Sequence, residues 1–176
     1  MKNLTINEFA KIVASDSPVP GGGSIAALCG ALSAALSEMV ANLTVTKKKY
    51  ADSKEEMNAI INKASQLRDR LLNYIEEDSL AYKKVMEAYK LPKETEEEKC
   101  LRLERIQEGL KVAASVPLEV AETSYEIFPL VEAVVLRGNS SSVTDALVGA
   151  MMARTGVLSA ILNIELIWIQ LRTKTL

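Results

Sequence analysis

No histidine occurs among the 176 residues, so acid–base chemistry must come from carboxylates, lysine or tyrosine. The commonest metal ligand and every Ser-His triad are excluded with it. Four stretches carry residue types that chemistry can use. Pro20-Gly21-Gly22-Gly23-Ser24 opens a helix, and its glycines let a ligand or a second backbone come close. It reads either as a plain helix-initiating turn or as a set of N–H donors, at the positive end of a helix dipole, for an anionic or polar ligand. Gly21-x-Gly23-x-x-Ala26 satisfies the loose dinucleotide fingerprint without a preceding strand, and no Walker A loop follows. Glu76-Glu77-Asp78 is a carboxylate cluster of the kind that usually forms an exposed face. Asp78, however, stands three or four residues from Ile75, Ala81 and Tyr82 and seven from Leu71 and Val85, which puts it nearer the apolar stripe than its neighbours. Lys47-Lys48-Lys49 reads either as a solvated helix end or as a receptor for a carboxylate or polyanionic tail, a role for which Arg137 is a rival. Arg137-Gly138-Asn139-Ser140-Ser141-Ser142 is a second polar turn, with Asp145 just beyond it.

Helices must position these groups. Thr5-Ile6-Asn7-Glu8 is a capping box, and Ile6, Phe9, Ala10 and Val13 mark the inward face of a short helix ending near Ser15. The glycine turn, with Ser24 as cap, launches a central helix over Ile25 to about Tyr50 that is almost without bulk. A Ser53-x-x-Glu56 box starts a long helix whose period runs from Ile60 through Tyr89. Thr95 caps a helix to Ser115, and Pro117 starts or kinks another through about Leu136. Ser142 caps a last helix, Val143 to Leu171, that begins small and ends bulky around most of its circumference, including Trp168. Strand periodicity is nearly absent. The expected fold is all-α, a bundle of about five to six helices around a small-residue helix, in one domain over residues 1–176.

Composition narrows the class. A net charge of −2 and 5% aromatics argue against a nucleic-acid binder. Cys29 and Cys100 lack metal-ligand spacing and indicate neither zinc nor a disulfide framework, which suits the cytoplasm. Glu38, Asn163 and Glu165 interrupt the longest apolar runs and no signal core precedes them, so no membrane is expected as partner. The bulky end of the last helix asks for a second subunit, and a homodimer is expected.

Taken in order, Pro18-x-Pro-Gly-Gly-Gly-Ser24 with its alanine-rich helix, Met39-Val40, Leu43-Thr44, Lys47-Lys48-Lys49-Tyr50, Asp78-x-x-Ala81-Tyr82, Pro117, Gly138-Asn139 and Thr144-Asp145 resemble the cyclodeaminase/cyclohydrolase family. The resemblance spans roughly residues 5 to 165 and implies an all-helical, dimeric, cofactor-free enzyme. Its implied substrates are tetrahydrofolates with a one-carbon unit at N5 or bridging N5 and N10. Asp78 is the implied catalytic carboxylate. Gly21, Gly22, Gly23, Ser24, Asn139 and Asp145 are implied to line the pocket, with Tyr82 and Asn163 beside them and Lys47 and Lys48 drawing in the glutamate tail. Two departures stand out: Ile167 replaces the second of a usual asparagine pair, and the sequence stops at Leu176 where family members commonly continue. The activities implied are hydrolysis of 5,10-methenyltetrahydrofolate or cyclising deamination of 5-formiminotetrahydrofolate; the alternative is a folate-binding or scaffold dimer without turnover.

Overall fold

The structure is a computed structural model that describes residues 1–173; the chain end at Leu176 lies outside them. Its elements are α1 (Ile6–Val13), α2 (Gly22–Val45), a 3-10 turn (Lys48–Ser53), α3 (Lys54–Tyr89), α4 (Glu96–Tyr125), α5 (Phe128–Arg137), a second 3-10 turn (Ser140–Ser142) and α6 (Val143–Thr173). Among the described residues there is no strand.

The four long helices pack antiparallel in a ring. Ser24 meets Asp78 and Glu38 meets Arg68, so α2 and α3 run in opposite directions. Gly109 lies against Val85 while Arg102 donates to the Tyr89 carbonyl, which does the same for α3 and α4. Ser33 donates to the Gly149 carbonyl at 2.7 Å, and a Cβ at Gly156 would lie 3.2 Å from the Ala26 carbonyl oxygen, so α6 descends as α2 rises. Small side chains permit this approach. Ala26, Ala27, Ala34, Val40 and Ala41 on α2 are fully buried, and Ala153 and Ala160 on α6 face them. The remaining space is filled from α3 and α4 by Leu67, Leu71, Val116 and Val120.

Several sequence expectations are corrected. The central helix starts three residues earlier than Ile25 and ends at Val45, because Gly21 takes the N-cap position and the lysines pass into the 3-10 turn. Ser24 does not cap it; the hydroxyl turns outward to another helix, as described below. The Ser53 box does not close, since α3 follows directly on the 3-10 turn. Pro117 breaks nothing: α4 runs through it to Tyr125, and the break comes before Phe128. Asn139, not Ser142, caps the turn that leads into α6, accepting from the Ser141 amide. The Thr5 and Thr95 boxes both form. In α1, however, Ile6 is 90% exposed rather than inward.

Candidate functional site

Asp78 sits about two-thirds of the way along α3, where helical spacing sets it between exposed Glu77 and the buried residues Ile75 and Ser79. Antiparallel packing delivers it to the first turn of α2. There the Ser24 hydroxyl donates to Asp78 Oδ2 at 2.8 Å. The same hydroxyl lies 3.3 Å from the Ile75 carbonyl and 3.4 Å from Ser79 Oγ, and Ser24 is fully buried. Asp78 therefore does for the start of α2 what a cap residue does, from a neighbouring helix. The contact demands a glycine beside it, since a Cβ at Gly23 would lie 2.7 Å from Asp78 Cγ. Burial pushes the Asp78 carboxyl above the usual aspartate range, against the Ser24 hydroxyl and amide, which favour the anion.

The carboxylate looks into a cavity of about 480 Å³. One wall is the turn Pro18, Val19 and Gly21–Gly23, entered through a cis Val19–Pro20 bond. The opposite wall is α3 beyond Asp78, where Tyr82, Val85, Met86 and Tyr89 fall on one face. Helix α4 adds Leu110, Ala113 and Pro117. Proline has no N–H for the Ala113 carbonyl four residues back, so that helical hydrogen bond is missing in this wall. Helix α6 closes the cavity with Asn163, Leu166, Ile167 and Gln170. Asn163 gives its amide to the Ser159 carbonyl at 2.7 Å and lies against Gly22. Such a site is mostly apolar, holds one carboxylate able to gain and lose a proton, and suits a flat, partly cationic heterocycle.

Of the residues named from sequence, Gly21, Gly22, Gly23, Asp78, Tyr82 and Asn163 all line this cavity, and Ser24 stands behind Asp78. Ile167 lines it too, so the departure from the usual asparagine changes a cavity wall. Lys47, Lys48, Asn139 and Asp145 are not there. They lie at the other end of α2 and α6, and the 21 residues from Gly23 to Thr44 separate the groups by about 30 Å of helix. Lys47 Nζ donates to Asn139 Oδ1 at 3.0 Å, the Asn139 amide donates to Thr44 Oγ1 at 2.8 Å, and Asn139 Nδ2 donates to Ser142 at 3.2 Å. Within one chain Asn139 is thus buried joinery between α2 and α6, and the implied placing of Asn139 and Asp145 in one pocket with the glycine turn is not met within one chain. Arg137 is held by Glu56 through two bonds of 2.6 Å. Sequence reading missed the walls from Val19, Met86, Tyr89 and Leu110. Stepping four and seven residues from Tyr82 along its helical face finds Met86 and Tyr89; nothing local marks the others.

A sequence model described as formiminotransferase-cyclodeaminase matches residues 5–167. The methenyltetrahydrofolate cyclohydrolase of Methylorubrum extorquens is 43% identical over 92% of this chain and 78% of its own length. The formimidoyltransferase-cyclodeaminase of Mus musculus is 35% identical over 92% of this chain, which spans 30% of that longer protein. The crystal structure of formiminotetrahydrofolate cyclodeaminase from Thermotoga maritima superposes with a TM-score of 0.85 at 32% identity, covering 97% of this chain and 81% of that one.

Proposed function

This chain belongs to the formiminotransferase-cyclodeaminase family, and from that premise we propose that it is a folate enzyme hydrolysing 5,10-methenyltetrahydrofolate to formyltetrahydrofolate, with Asp78 as its acid–base group. The bacterial relative named for that hydrolysis is matched over most of its length, which puts this reaction first. Cyclising deamination of 5-formiminotetrahydrofolate is the second reading, supported by the close fold match to a cyclodeaminase.

A single observation carries the proposal: a half-buried carboxylate, its proton affinity raised by burial, faces an apolar cavity at the glycine turn. The methenyl substrate spreads one positive charge over N5, the bridging carbon and N10. Ionised Asp78 stabilises that charge and takes a proton from a water molecule as its oxygen bonds to the bridging carbon. The tetrahedral adduct is neutral. Asp78 returns its proton to one ring-derived nitrogen as the bond from carbon to that nitrogen breaks, leaving the formyl group on the other. The hydroxyl proton goes to solvent, so water is added and one proton released. For deamination, N10 attacks the formimino carbon and the same carboxyl protonates departing ammonia. Neither route asks for a cofactor or metal.

The apolar stripe along α2 and α6 supports a homodimer, and the free thiols Cys29 and Cys100 support the cytoplasm as its compartment. The test follows the loss of methenyltetrahydrofolate absorbance above its spontaneous hydrolysis, with ammonia release from the formimino substrate measured in parallel. Asp78→Asn is expected to lower kcat by roughly 10²- to 10⁴-fold. Wild-type rates equal to buffer on both substrates, with folate still protecting against unfolding, leave only a binding protein.

A further inference from the structure

We propose that Arg102 receives the carboxylates of the substrate's glutamate, so that the substrate lies along α3 with its pterin at the glycine turn and its p-aminobenzoyl arm pointing away from α2. This rests on the folate reading above and extends it to where the anionic end goes. Among the described residues that line the cavity, Asp78 alone carries a charge, and its sign is wrong for a carboxylate ligand.

The cavity runs along the helices, because α2 starts at Gly22 whereas α3, α4 and α6 continue beyond that level. With Gly109 against Val85, antiparallel α4 brings Pro117 about level with Asp78 and Arg102 to the end of α3. From Asp78 the 11 residues to Tyr89 give about 16 Å of wall. On the other side of Asp78, Ser24 and the first turn of α2 close the space. The substrate is equally lopsided about its bridging carbon. Its pterin is a compact bicycle, whereas the extended p-aminobenzoyl-glutamate arm carries its carboxylates about 10–13 Å away at ordinary bond lengths. With a polar contact of about 3 Å at each end, the arm spans the run from Asp78 to the guanidinium beside Tyr89. Its ring then passes Tyr82 and Met86, which offer aromatic and thioether surface.

Arg102 is half-buried and already held in place. Its Nε and Nη2 donate to the Tyr89 carbonyl at 3.3 and 3.1 Å, and the guanidinium lies over the Tyr89 ring, 5.7 Å from its centre. Tyr89 is both the last residue of α3 and a wall of the cavity, so the cation is anchored to that wall. Arg68, Arg70, Arg105 and Arg137 each meet a carboxylate. Among the described residues Arg102 meets none, and its Nη1 has no acceptor. The end-on edge, Nη1 with the second Nη2 hydrogen, is thus left for a bidentate carboxylate. A fork pre-set by a carbonyl and a ring loses little freedom on binding.

The test compares 5,10-methenyltetrahydrofolate with the methenyl derivative of tetrahydropteroyl methylamide, which keeps both ring systems and ends where the glutamate begins. Arg102→Gln is expected to lower kcat/KM on the folate at least tenfold more than on the methylamide, through KM. Arg102→Lys keeps the charge without the fork and is expected to fall between. Should the glutamine variant fail to fold, the lysine variant carries the comparison. Arg102 also caps the end of α3, and a purely capping role lowers both substrates alike; that equal loss overturns the proposal. So does a tail-specific loss in Lys48→Gln with none in Arg102→Gln. If wild type turns over neither compound, the proposed reaction fails, and the comparison is read by calorimetry with 5-formyltetrahydrofolate and the matching formyl methylamide. A tail-specific tenfold loss of affinity in Arg102→Gln then supports the site, and an equal loss overturns it. Wild type binding neither compound overturns both the site and the folate reading.

Discussion

A hydroxyl within reach of three acceptors decides how Asp78 works. Ser24 has one proton to give, and it goes to Asp78 when the carboxylate is charged. Once Asp78 is protonated, its O–H donates to Ser24 Oγ and the serine proton turns to the Ile75 carbonyl at 3.3 Å. Both states of the acid are thus satisfied. With Asp78 as base, kcat/KM rises with pH through a limb lying above the ordinary aspartate value of about 3.9. Ser24→Ala removes a donor that favours the anion, so that limb is expected to move to higher pH. The rate on the acidic limb falls while KM changes little, and a pH–rate profile checks it. Stability carries the opposite sign from that of a paired surface carboxylate. Because the folded-state pKa is raised, the folded chain keeps a proton that the unfolded chain has lost between about pH 4 and the raised value, and stability falls as pH rises through that window. Asp78→Asn is therefore expected to raise Tm at pH 7 to 8, with the gain vanishing near pH 4 in thermal scans.

At the scale of elements, α2 orders the rest through what it lacks. A Cβ at Gly30 would meet the Ser124 hydroxyl on α4 and stand 3.1 Å from the Leu71 methyls on α3. A Cβ at Gly156 would stand 3.0 Å from the same hydroxyl, so α2, α4 and α6 converge on one point. Gly30→Val is expected to cost roughly 1–3 kcal/mol by overpacking, read as a lower denaturation midpoint in urea. Activity should fall with it, because displacing α3 from α2 moves Asp78 off Ser24. The α3 and α4 ends of the cavity are tied by Arg102, which donates to the Tyr89 carbonyl at 3.1 Å and lies over the Tyr89 ring.

For the whole molecule, α6 is the unfinished part. Both α2 and the segment 140–171 are long and apolar enough to cross a bilayer, but α2 is largely buried by its own bundle whereas α6 leaves Met151, Leu162, Leu166, Trp168 and Ile169 exposed. The proposed homodimer would cover that exposed side of α6. Met151→Glu places a charge on the exposed side of α6 and is expected to give a helical, folded monomer, seen by sedimentation and far-UV circular dichroism.

The residue pattern alone determined an all-helical chain with a small-residue helix at its centre and put Asp78 nearer the apolar stripe than its neighbours, while leaving the glycine turn open between a plain helix start and a ligand site. Those features are local: glycine spacing, the 3.6 period and the absence of histidine are properties of neighbours in sequence. Continuity of α4 through Pro117, the turning of Ser24 from its own helix to Asp78, and the removal of Lys47 and Asn139 to the opposite end were decided by packing. Each depends on which helices lie antiparallel and in what register, and helical periodicity fixes the face a residue occupies without fixing what stands opposite that face.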